Sequence, residues 1–298
     1  MSSLFDRGDM VDYVTGLQTK ICDALAEIDG RGSFGSDVWE RPGGGGGTAR
    51  AISDGAIFEK AGVNVSVVHG DLPESLAAKM QVTESRFFAT GISLVIHPVN
   101  PHIPTVHANL RYFENGNDDA WFGGGVDLTP YTGNTDAPQH FHTAMKSACD
   151  GIDPSYYPRF KQECDRYFYL RHRKESRGVG GIFYDYLRGS PETHFDLQQS
   201  IGDAFLGAYL PIVEQNRDRA VTERERSFQL LRRGRYVEFN LVYDRGTLFG
   251  LETDGRIESI LMSLPPHASW GYDVDMETND SEKRLMSWLR TPIDWVTS

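Results

Sequence analysis

The stretch HANLRYFENGNDDAWFGGGVDLTP, which runs from His107 to Pro130, indicates the architecture of this protein. Successive side chains of a β-strand point to opposite faces. If residues 105–112 form a strand, its even positions are apolar apart from one phenol, and its odd positions carry His107, Asn109 and Arg111. A hydrophobic core does not require an imidazole, an amide and a guanidinium on one face. The pattern therefore predicts a strand with one core face and one site face.

Residues 88–97 repeat this alternation just before that stretch. Their even positions from 92 to 96 are aliphatic, whereas Ser93 and His97 occupy odd positions with Val95 between them. Side chains of paired strands that lie opposite one another are in contact. If the two strands pair, five polar side chains converge on one face of a sheet, and we expect that face to carry the site.

A third strand is predicted at 121–128, with Gly123 to Gly125 in its middle. Glycine weakens a strand, so three in a row indicate that something large and flat lies against the backbone there. Asp127 follows, and it has two interpretations. It caps the turn that starts at Thr129, or it serves as the carboxylate partner of His107 in general acid or base chemistry.

Composition excludes several classes of function. The formal net charge of −12 argues against binding to nucleic acids or to an anionic membrane surface. No apolar run reaches the length of a membrane-spanning helix, and the acidic N-terminus resembles neither a secretory signal nor a transit peptide. The three cysteines are widely spaced and form no CxxC motif, which favours reduced thiols in the cytoplasm.

Apolar residues at helical spacing predict several helices around these strands. Asp9 is the expected N-cap of the first helix, and Gly234 is the expected end of the helix that Thr222 opens with a capping box. The predicted helices lie at 10–28, 136–150, 155–172, 196–216, 222–234 and 281–290. Further strands are predicted at 63–69, 235–243 and 247–251, with a turn at 253–256.

Strands with one apolar and one polar face, followed by helices grouped together, favour an α+β fold built on an antiparallel sheet. Helices would pack on the apolar faces, and the polar face would line a cleft. The glycine-rich loop at Gly43 to Gly47 lacks the context of a nucleotide-binding loop. We interpret it either as a flexible lid or hinge over the site or as a plain linker.

The candidate site residues indicate proton transfer on an anionic molecule. Arg111, Arg245 and Arg256 lie near predicted strand ends or turns, and the guanidinium group binds carboxylates in a bidentate manner. No nucleophile motif suggests covalent catalysis. Four of the nine histidines are candidate metal ligands, although none has the spacing of a known metal motif. These four are His97, His107, His142 and His172.

Several long motifs resemble the oxygen-dependent coproporphyrinogen III oxidase family. The resemblance extends from the first helix to Trp295. The motifs that carry it are HANLRYFE at 107–114, WFGGGVDLTP at 121–130, HFH at 140–142, FEKAGV at 58–63 with its continuation to 70, YDRGT at 243–247, and the segments 177–183 and 256–266.

This resemblance implies the activity and the architecture. The family uses O2 to convert two propionates of coproporphyrinogen III to vinyl groups, giving protoporphyrinogen IX in haem biosynthesis. It implies one domain over 1–298, with a large flat antiparallel sheet flanked by helices on both sides. It also implies a cytoplasmic homodimer joined through about 235–270. No cofactor is then required beyond O2 as co-substrate, and the alternative is a divalent metal on the four histidines.

The resemblance also implies roles for individual residues. His107 is the expected proton donor, and Asp127 and Asp244 are expected to contact pyrrole N–H groups. The expected substrate-binding residues are Ser93, Asn109, Arg111, Arg245, Gly255 and Arg256. Two other classes of function remain as alternatives: a tetrapyrrole carrier without turnover, and a metal-dependent hydrolase or dioxygenase.

Overall fold

In the described part of the chain, seven strands form one antiparallel sheet and two short strands form a separate hairpin. This computed structural model describes residues 5–72, 74, 77–78, 82, 84–116, 119–252 and 255–296. The sheet strands are β1 Gly35–Glu40, β2 Gly45–Ser53, β3 Phe58–Asp71, β4 Arg86–Pro98, β5 Thr105–Asn115, β6 Asp119–Thr129 and β9 Gly180–Leu187. The hairpin consists of β7 Tyr169–Leu170 and β8 Glu175–Ser176. The order of strands in the sheet is β1-β2-β3-β4-β5-β6-β9.

Eight helices accompany the sheet in the described part of the chain. They are α1 Arg7–Asp29, α2 Asp136–Asp150, α3 Tyr156–Tyr167, α4 Pro191–Asn216, α5 Glu223–Val242, α6 Arg245–Glu252, α7 Ile257–Leu261 and α8 Asp280–Arg290. Among the described residues, no helix combines the length and the apolar character that crossing a bilayer requires.

The even-numbered side chains of β5 face the hydrophobic core, as their alternation predicts. Helices α1 and α4 pack on this face, and Gly202 of α4 lies so close that a Cβ there would be 3.1 Å from Leu110 and 2.8 Å from Leu17. Leu110 and Leu17 are buried. Burial of such a leucine contributes about 1.5–3 kcal/mol. Glycine at 202 therefore allows the two helices and the sheet to share one core.

The opposite face of the sheet is covered in part by elements from the second half of the chain. Tyr236 of α5 packs edge-on against His97, with ring centroids 5.2 Å apart. Met262, which follows α7, lies over Gly62 of β3, where a Cβ would be 2.8 Å from its sulfur. Helices therefore flank both sides of the sheet. The predicted α+β fold with a large antiparallel sheet is confirmed.

The segment after Gly234 does not have the predicted structure. Helix α5 continues through Gly234 to Val242, where a strand was predicted at 235–243, and residues 247–251 belong to α6 instead of a strand. Gly234 is not a C-cap: a Cβ there would lie 2.7 Å from the carbonyl oxygen of Ser269. Close approach of another chain segment, not helix termination, accounts for this glycine.

Other boundaries also differ from the prediction, and the helix predicted at 196–216 begins at Pro191. Asp6, not Asp9, is the N-cap of α1. Asp9 is the N3 residue, whose side chain completes the capping box. The helix predicted at 155–172 ends at Tyr167, after which the chain turns into the β7–β8 hairpin. Of the predicted glycine loop, Gly43 and Gly44 form a turn, but Gly45 to Gly47 belong to β2. In the predicted 253–256 turn, 253 and 254 lie outside the described residues.

Glu59 of β3 holds α5 against the sheet and makes stability depend on pH. Its carboxylate accepts hydrogen bonds from Arg226 at 2.8 Å, Arg233 at 2.6 Å and His267 at 2.9 Å. Burial alone would raise the pKa of Glu59, but these partners outweigh it and lower the pKa to about 2. Since the folded pKa lies below the unfolded value of about 4.3, this stability is complete above that value and is lost as pH falls towards 2.

We therefore expect Glu59→Gln to reduce the free energy of unfolding by about 1–3 kcal/mol at pH 7. The difference from the unsubstituted protein should shrink as pH falls from 5 towards 2. Urea unfolding at several pH values measures both quantities. Glu163→Gln is the control, because the Glu163–Arg166 pair is exposed and should contribute less than about 1 kcal/mol. If the difference in free energy of unfolding between Glu59→Gln and the unsubstituted protein stayed constant between pH 5 and 2.5, this account would be contradicted.

Candidate active site

The sheet register places His107 of β5 directly opposite Asp127 of β6. The Nδ1 atom of His107 lies 2.8 Å from Oδ1 of Asp127. The Asp127 side chain is 1% exposed, whereas that of His107 is 20% exposed. Among the described residues, Nε2 of His107 has no hydrogen-bond partner. The prediction that His107 and Asp127 form a pair is confirmed, and the accessible member of the pair is the imidazole.

Arg177 determines the charge state of Asp127. Its Nη2 atom lies 2.9 Å from both carboxylate oxygens, and its Nη1 atom donates to Oδ1 of Asn240 at 2.8 Å. Burial alone would raise the pKa of Asp127, but Arg177 and His107 outweigh it and lower the pKa. Asp127 is therefore a buried carboxylate ion. It can only accept hydrogen bonds, so Nδ1 of His107 carries the proton and Nε2 is left for chemistry.

Aromatic rings enclose the Arg177 guanidinium. The Cζ atom of Arg177 lies 4.1 Å from the Phe168 ring centroid, 4.3 Å from that of Tyr236 and 4.8 Å from that of Phe239. Such contacts stabilise a desolvated cation. The sequence analysis did not assign a role to Arg177. Its position before the glycine turn at 178 was the only signal, and nothing in the sequence relates that turn to the end of β6.

A second group of charges begins at Arg111, four residues along β5 from His107. Nη1 of Arg111 donates to Oδ1 of Asn109 at 2.7 Å, and Nη2 pairs with Oδ1 of Asp185 at 2.9 Å. Oδ2 of Asp185 lies 3.5 Å from Nη2 of Arg245, so one carboxylate bridges two arginines. The guanidinium of Arg245 also packs 4.9 Å from the Tyr167 ring centroid. The structure thus brings Asn109, Arg111 and Arg245 together, as predicted, around an aspartate that the sequence analysis missed.

The glycine triplet of β6 makes room for flat groups of the chain itself. A Cβ on Gly123 would lie 2.7 Å from Nε of Arg111 and 2.7 Å from Oδ1 of Asp185. On the same face, a Cβ on Gly125 would lie 3.1 Å from the Phe183 ring. Phe183 stacks on Tyr167 with centroids 4.1 Å apart. Flat side chains of the protein itself therefore lie against this backbone, and a large flat ligand there stays a prediction.

Asp244 lies at the start of α6. Its Oδ1 atom accepts a hydrogen bond from the Tyr167 hydroxyl at 2.8 Å, and its Oδ2 atom accepts from the Thr247 backbone N–H at 2.7 Å and hydroxyl at 2.8 Å. The contact to a backbone N–H three residues on is that of a helix N-cap. A carboxylate has about four acceptor sites. Asp244, which is half-buried, therefore retains one acceptor site on Oδ1.

Small side chains form a floor between the two edges of the sheet. One cross-strand row runs through Asp37, Ala49, Asn64, Ser93, Asn109, Gly125 and Phe183. Arg256 pairs with Asp37 at the β1 end of this row, and Gly255 donates its N–H to Gly250 at 2.9 Å. Ser93 therefore lies beside Asn109 as predicted, whereas Arg256 and Gly255 belong to the far end of the floor.

Comparison with known proteins assigns the chain to a family. A sequence profile described as Coproporphyrinogen III oxidase matches residues 9–295. An oxygen-dependent coproporphyrinogen-III oxidase from Prochlorococcus marinus is 48% identical over 313 aligned residues, covering 96% of this chain and 91% of that protein.

The chain belongs to the coproporphyrinogen III oxidase family.

Membership of the coproporphyrinogen III oxidase family confirms the resemblance and makes the chain an oxidoreductase. The residue roles that the resemblance implied remain predictions, and the geometry bears differently on each. His107 is partly exposed, and its Nε2 has no hydrogen-bond partner in the described part of the chain. Asp127 is buried beneath it with both oxygens bonded, so the geometry offers no open path from Asp127 to a ligand. Asp244 is the more accessible of the two aspartates.

The four histidines proposed as a metal site are not gathered. Both ring nitrogens of His97 lie within hydrogen-bond distance of Thr105 and Ser263, and those of His142 lie near Tyr157 and Val179. Those of His172 lie near Tyr243 and Glu238. Within the described ranges, no three His, Cys, Asp or Glu side chains form a metal-binding group. Three of the four predicted ligands thus bond to other parts of the protein, and a divalent metal on these histidines stays a prediction.

Proposed function

We propose that the chain catalyses the O2-dependent oxidative decarboxylation of two propionates of coproporphyrinogen III to vinyl groups, yielding protoporphyrinogen IX for haem biosynthesis. Each propionate loses CO2 and two electrons, and O2 accepts the electrons. The observation that carries the proposal is the His107–Asp127–Arg177 chain beside an arginine group on a flat floor. Family membership supports the same reaction.

The arginines and the floor would orient the substrate. A tetrapyrrole with four carboxylates needs cations at its rim, and a guanidinium group suits a carboxylate because of its planar fork. Arg111 and Arg245 lie at one end of the floor and Arg256 at the other. Ser93 and Asn109 lie between them, so the macrocycle would rest on small polar side chains.

The proton chemistry would involve His107 and Asp244. The remaining acceptor site of Asp244 can hold a pyrrole N–H or take its proton, which makes the pyrrole electron-rich enough to react with O2. The resulting ring peroxide takes a proton from the β-carbon of the propionate, CO2 leaves as the vinyl group forms, and the carbon–oxygen bond to the peroxide breaks. Asp244 returns the proton to the pyrrole nitrogen. His107 donates a proton through Nε2 to the departing peroxide, which leaves as H2O2, while the ionised Asp127 stabilises the imidazolium form. Asp127 thus acts through His107 as a positioning residue.

We also propose that the reaction requires no cofactor other than O2 as co-substrate. The hydrogen bonds of His97, His142 and His172 within the protein support this, since these nitrogens would have to leave their partners to bind a metal. Burial lowers the pKa of His142 to about 3, so that side chain is neutral and serves the core.

We propose a homodimer joined through about 235–270, working in the cytoplasm. Six large apolar side chains among the described residues of that segment are exposed: Leu241, Val242, Leu248, Leu251, Ile257 and Trp270. Exposed apolar patches commonly mark contact surfaces. The three cysteines are unpaired and buried, as suits a reducing compartment.

Aerobic incubation with coproporphyrinogen III, with and without a chelator, tests the proposed function. We expect protoporphyrin after re-oxidation of the products, only in the presence of O2 and at the same rate with chelator. Product loss with chelator would overturn the metal-free reaction while keeping the oxidase. Binding of the substrate without any product would leave a tetrapyrrole carrier.

A further inference from the structure

Asp185 occupies the position between Arg111 and Arg245 that the proposed function gives to a substrate carboxylate. One of its oxygens faces each arginine, at 2.9 Å and 3.5 Å. A propionate carboxylate placed there would make the same two contacts. The Asp185 side chain is 18% exposed, and those of Arg111 and Arg245 are 35% and 56% exposed, so solvent and ligands reach the group.

The backbone around Asp185 is shaped to hold the carboxylate there. The pairing of β6 with β9 is irregular between Phe122 and Gly124, opposite this part of β9. Tyr186 has a φ of +53°, in the left-handed region that non-glycine residues rarely adopt, and its N–H donates to Oδ1 of Asp185 at 3.0 Å. Such irregularities redirect a side chain near functional sites.

Gly123 provides the space for this ion pair. Since a Cβ at that position would contact both Arg111 and Asp185 at 2.7 Å, the pair lies directly on the β6 backbone. A glycine, a bulged strand and a left-handed tyrosine thus combine to place one carboxylate against two cations. Each arginine receives only one oxygen of Asp185, and Nη1 of Arg111 donates to Asn109.

We infer that Asp185 competes with the substrate carboxylate for Arg111 and Arg245. This inference rests on the proposed function. Without a ligand it neutralises Arg111 and Arg245 and keeps them in place. A propionate displaces it, with Asp185 turning out to solvent at the bulge. A small monocarboxylate cannot displace it, because it brings no macrocycle contacts to offset the lost ion pairs. Asp185 thereby restricts this anion site to ligands that also bind the floor.

Asp185→Asn, which removes the charge and keeps the shape, tests the inference with coproporphyrin III, an oxidised tetracarboxylate that cannot react. We expect this variant to bind coproporphyrin III about tenfold more tightly than the unsubstituted protein at low salt, with a steeper loss of affinity as salt rises. Asp185→Ala should change affinity in the same direction. Acetate should compete with coproporphyrin III in the variants and not in the unsubstituted protein. Fluorescence titration measures all of these affinities.

Asp119→Asn is the matched control. Asp119 pairs with Arg188 at 2.7 Å at the same edge of the sheet, so its substitution changes net charge equally and leaves the Arg111–Asp185–Arg245 group intact. Its affinity for coproporphyrin III should remain unchanged. Asp185→Glu, which keeps the charge, should not gain affinity.

Each outcome separates this inference from the proposed function. Equal or weaker binding by Asp185→Asn, with turnover present in the unsubstituted protein, would overturn the competitor role alone and make Asp185 a support for Arg111. Tighter binding by Asp185→Asn in a chain that forms no protoporphyrin would keep the anion competition and overturn the oxidase. Absence of coproporphyrin III binding in every variant would overturn both.

Discussion

Replacing His107 with asparagine is expected to lower kcat by about a thousandfold while changing the affinity for coproporphyrin III by less than about threefold. Asparagine can still donate to Asp127, so the buried charge keeps a partner. It cannot supply a proton at the position of Nε2, which is the nitrogen without a partner among the described residues. Steady-state formation of protoporphyrin and titration with coproporphyrin III measure the two effects separately.

His140→Asn is the control for this substitution. His140 is an exposed residue of α2 whose Nε2 lies 3.0 Å from the Gly207 carbonyl oxygen, away from Asp127. The kcat of His140→Asn should remain within about twofold of that of the unsubstituted protein. A His107→Asn variant that kept most of its kcat would remove His107 from the proton-transfer step and leave the arginines and Asp244 as the functional groups.

Arg177→Met is expected to reduce the free energy of unfolding by about 3–5 kcal/mol and to abolish turnover. The substitution leaves the Asp127 carboxylate buried without its cation, and removal of one partner from a buried ion pair is costly. The substitution also allows Asp127, the partner of His107, to take up a proton. Chemical denaturation measures the stability, and the protoporphyrin assay measures the activity.

The double variant Asp127→Asn, Arg177→Met distinguishes charge from packing. With both charges removed, we expect about half of the lost stability to return while the enzyme stays inactive. Arg188→Met is the exposed control, with an expected effect below about 1 kcal/mol, because its ion pair with Asp119 is largely open to solvent. A double variant less stable than Arg177→Met alone would show that shape, not charge, dominates at this position.

Local alternation was sufficient to predict the sheet and one face of the site. The period of two in β5 separates Leu110 from Arg111 whatever the rest of the chain does, because strand geometry alone sends neighbouring side chains to opposite faces. The same argument places His107 with Asn109. The triplet of glycines in β6 likewise signalled flat groups above the backbone before any partner was known.

Helix ends in the last third of the chain depended on tertiary contacts. Gly234 resembles a C-cap in the sequence, but Ser269 and Trp270 pack against it and the helix continues to Val242. Propensity is a weak preference that packing overrides. Phe239 and Asn240, predicted in a strand, thereby lie on a helix and reach Arg177.

The alternating faces, the family and the site-face residues His107, Asn109 and Arg111 could be predicted without coordinates. The folded chain was needed to show that Arg177 neutralises Asp127, that an aspartate of β9 bridges two arginines, and that the other candidate histidines bond elsewhere. These contacts join side chains far apart in the chain; Arg177 and Asn240, for example, are 63 positions apart. Sequence periodicity reports the direction of a side chain, whereas the partner of a buried charge depends on which distant element the fold brings to it.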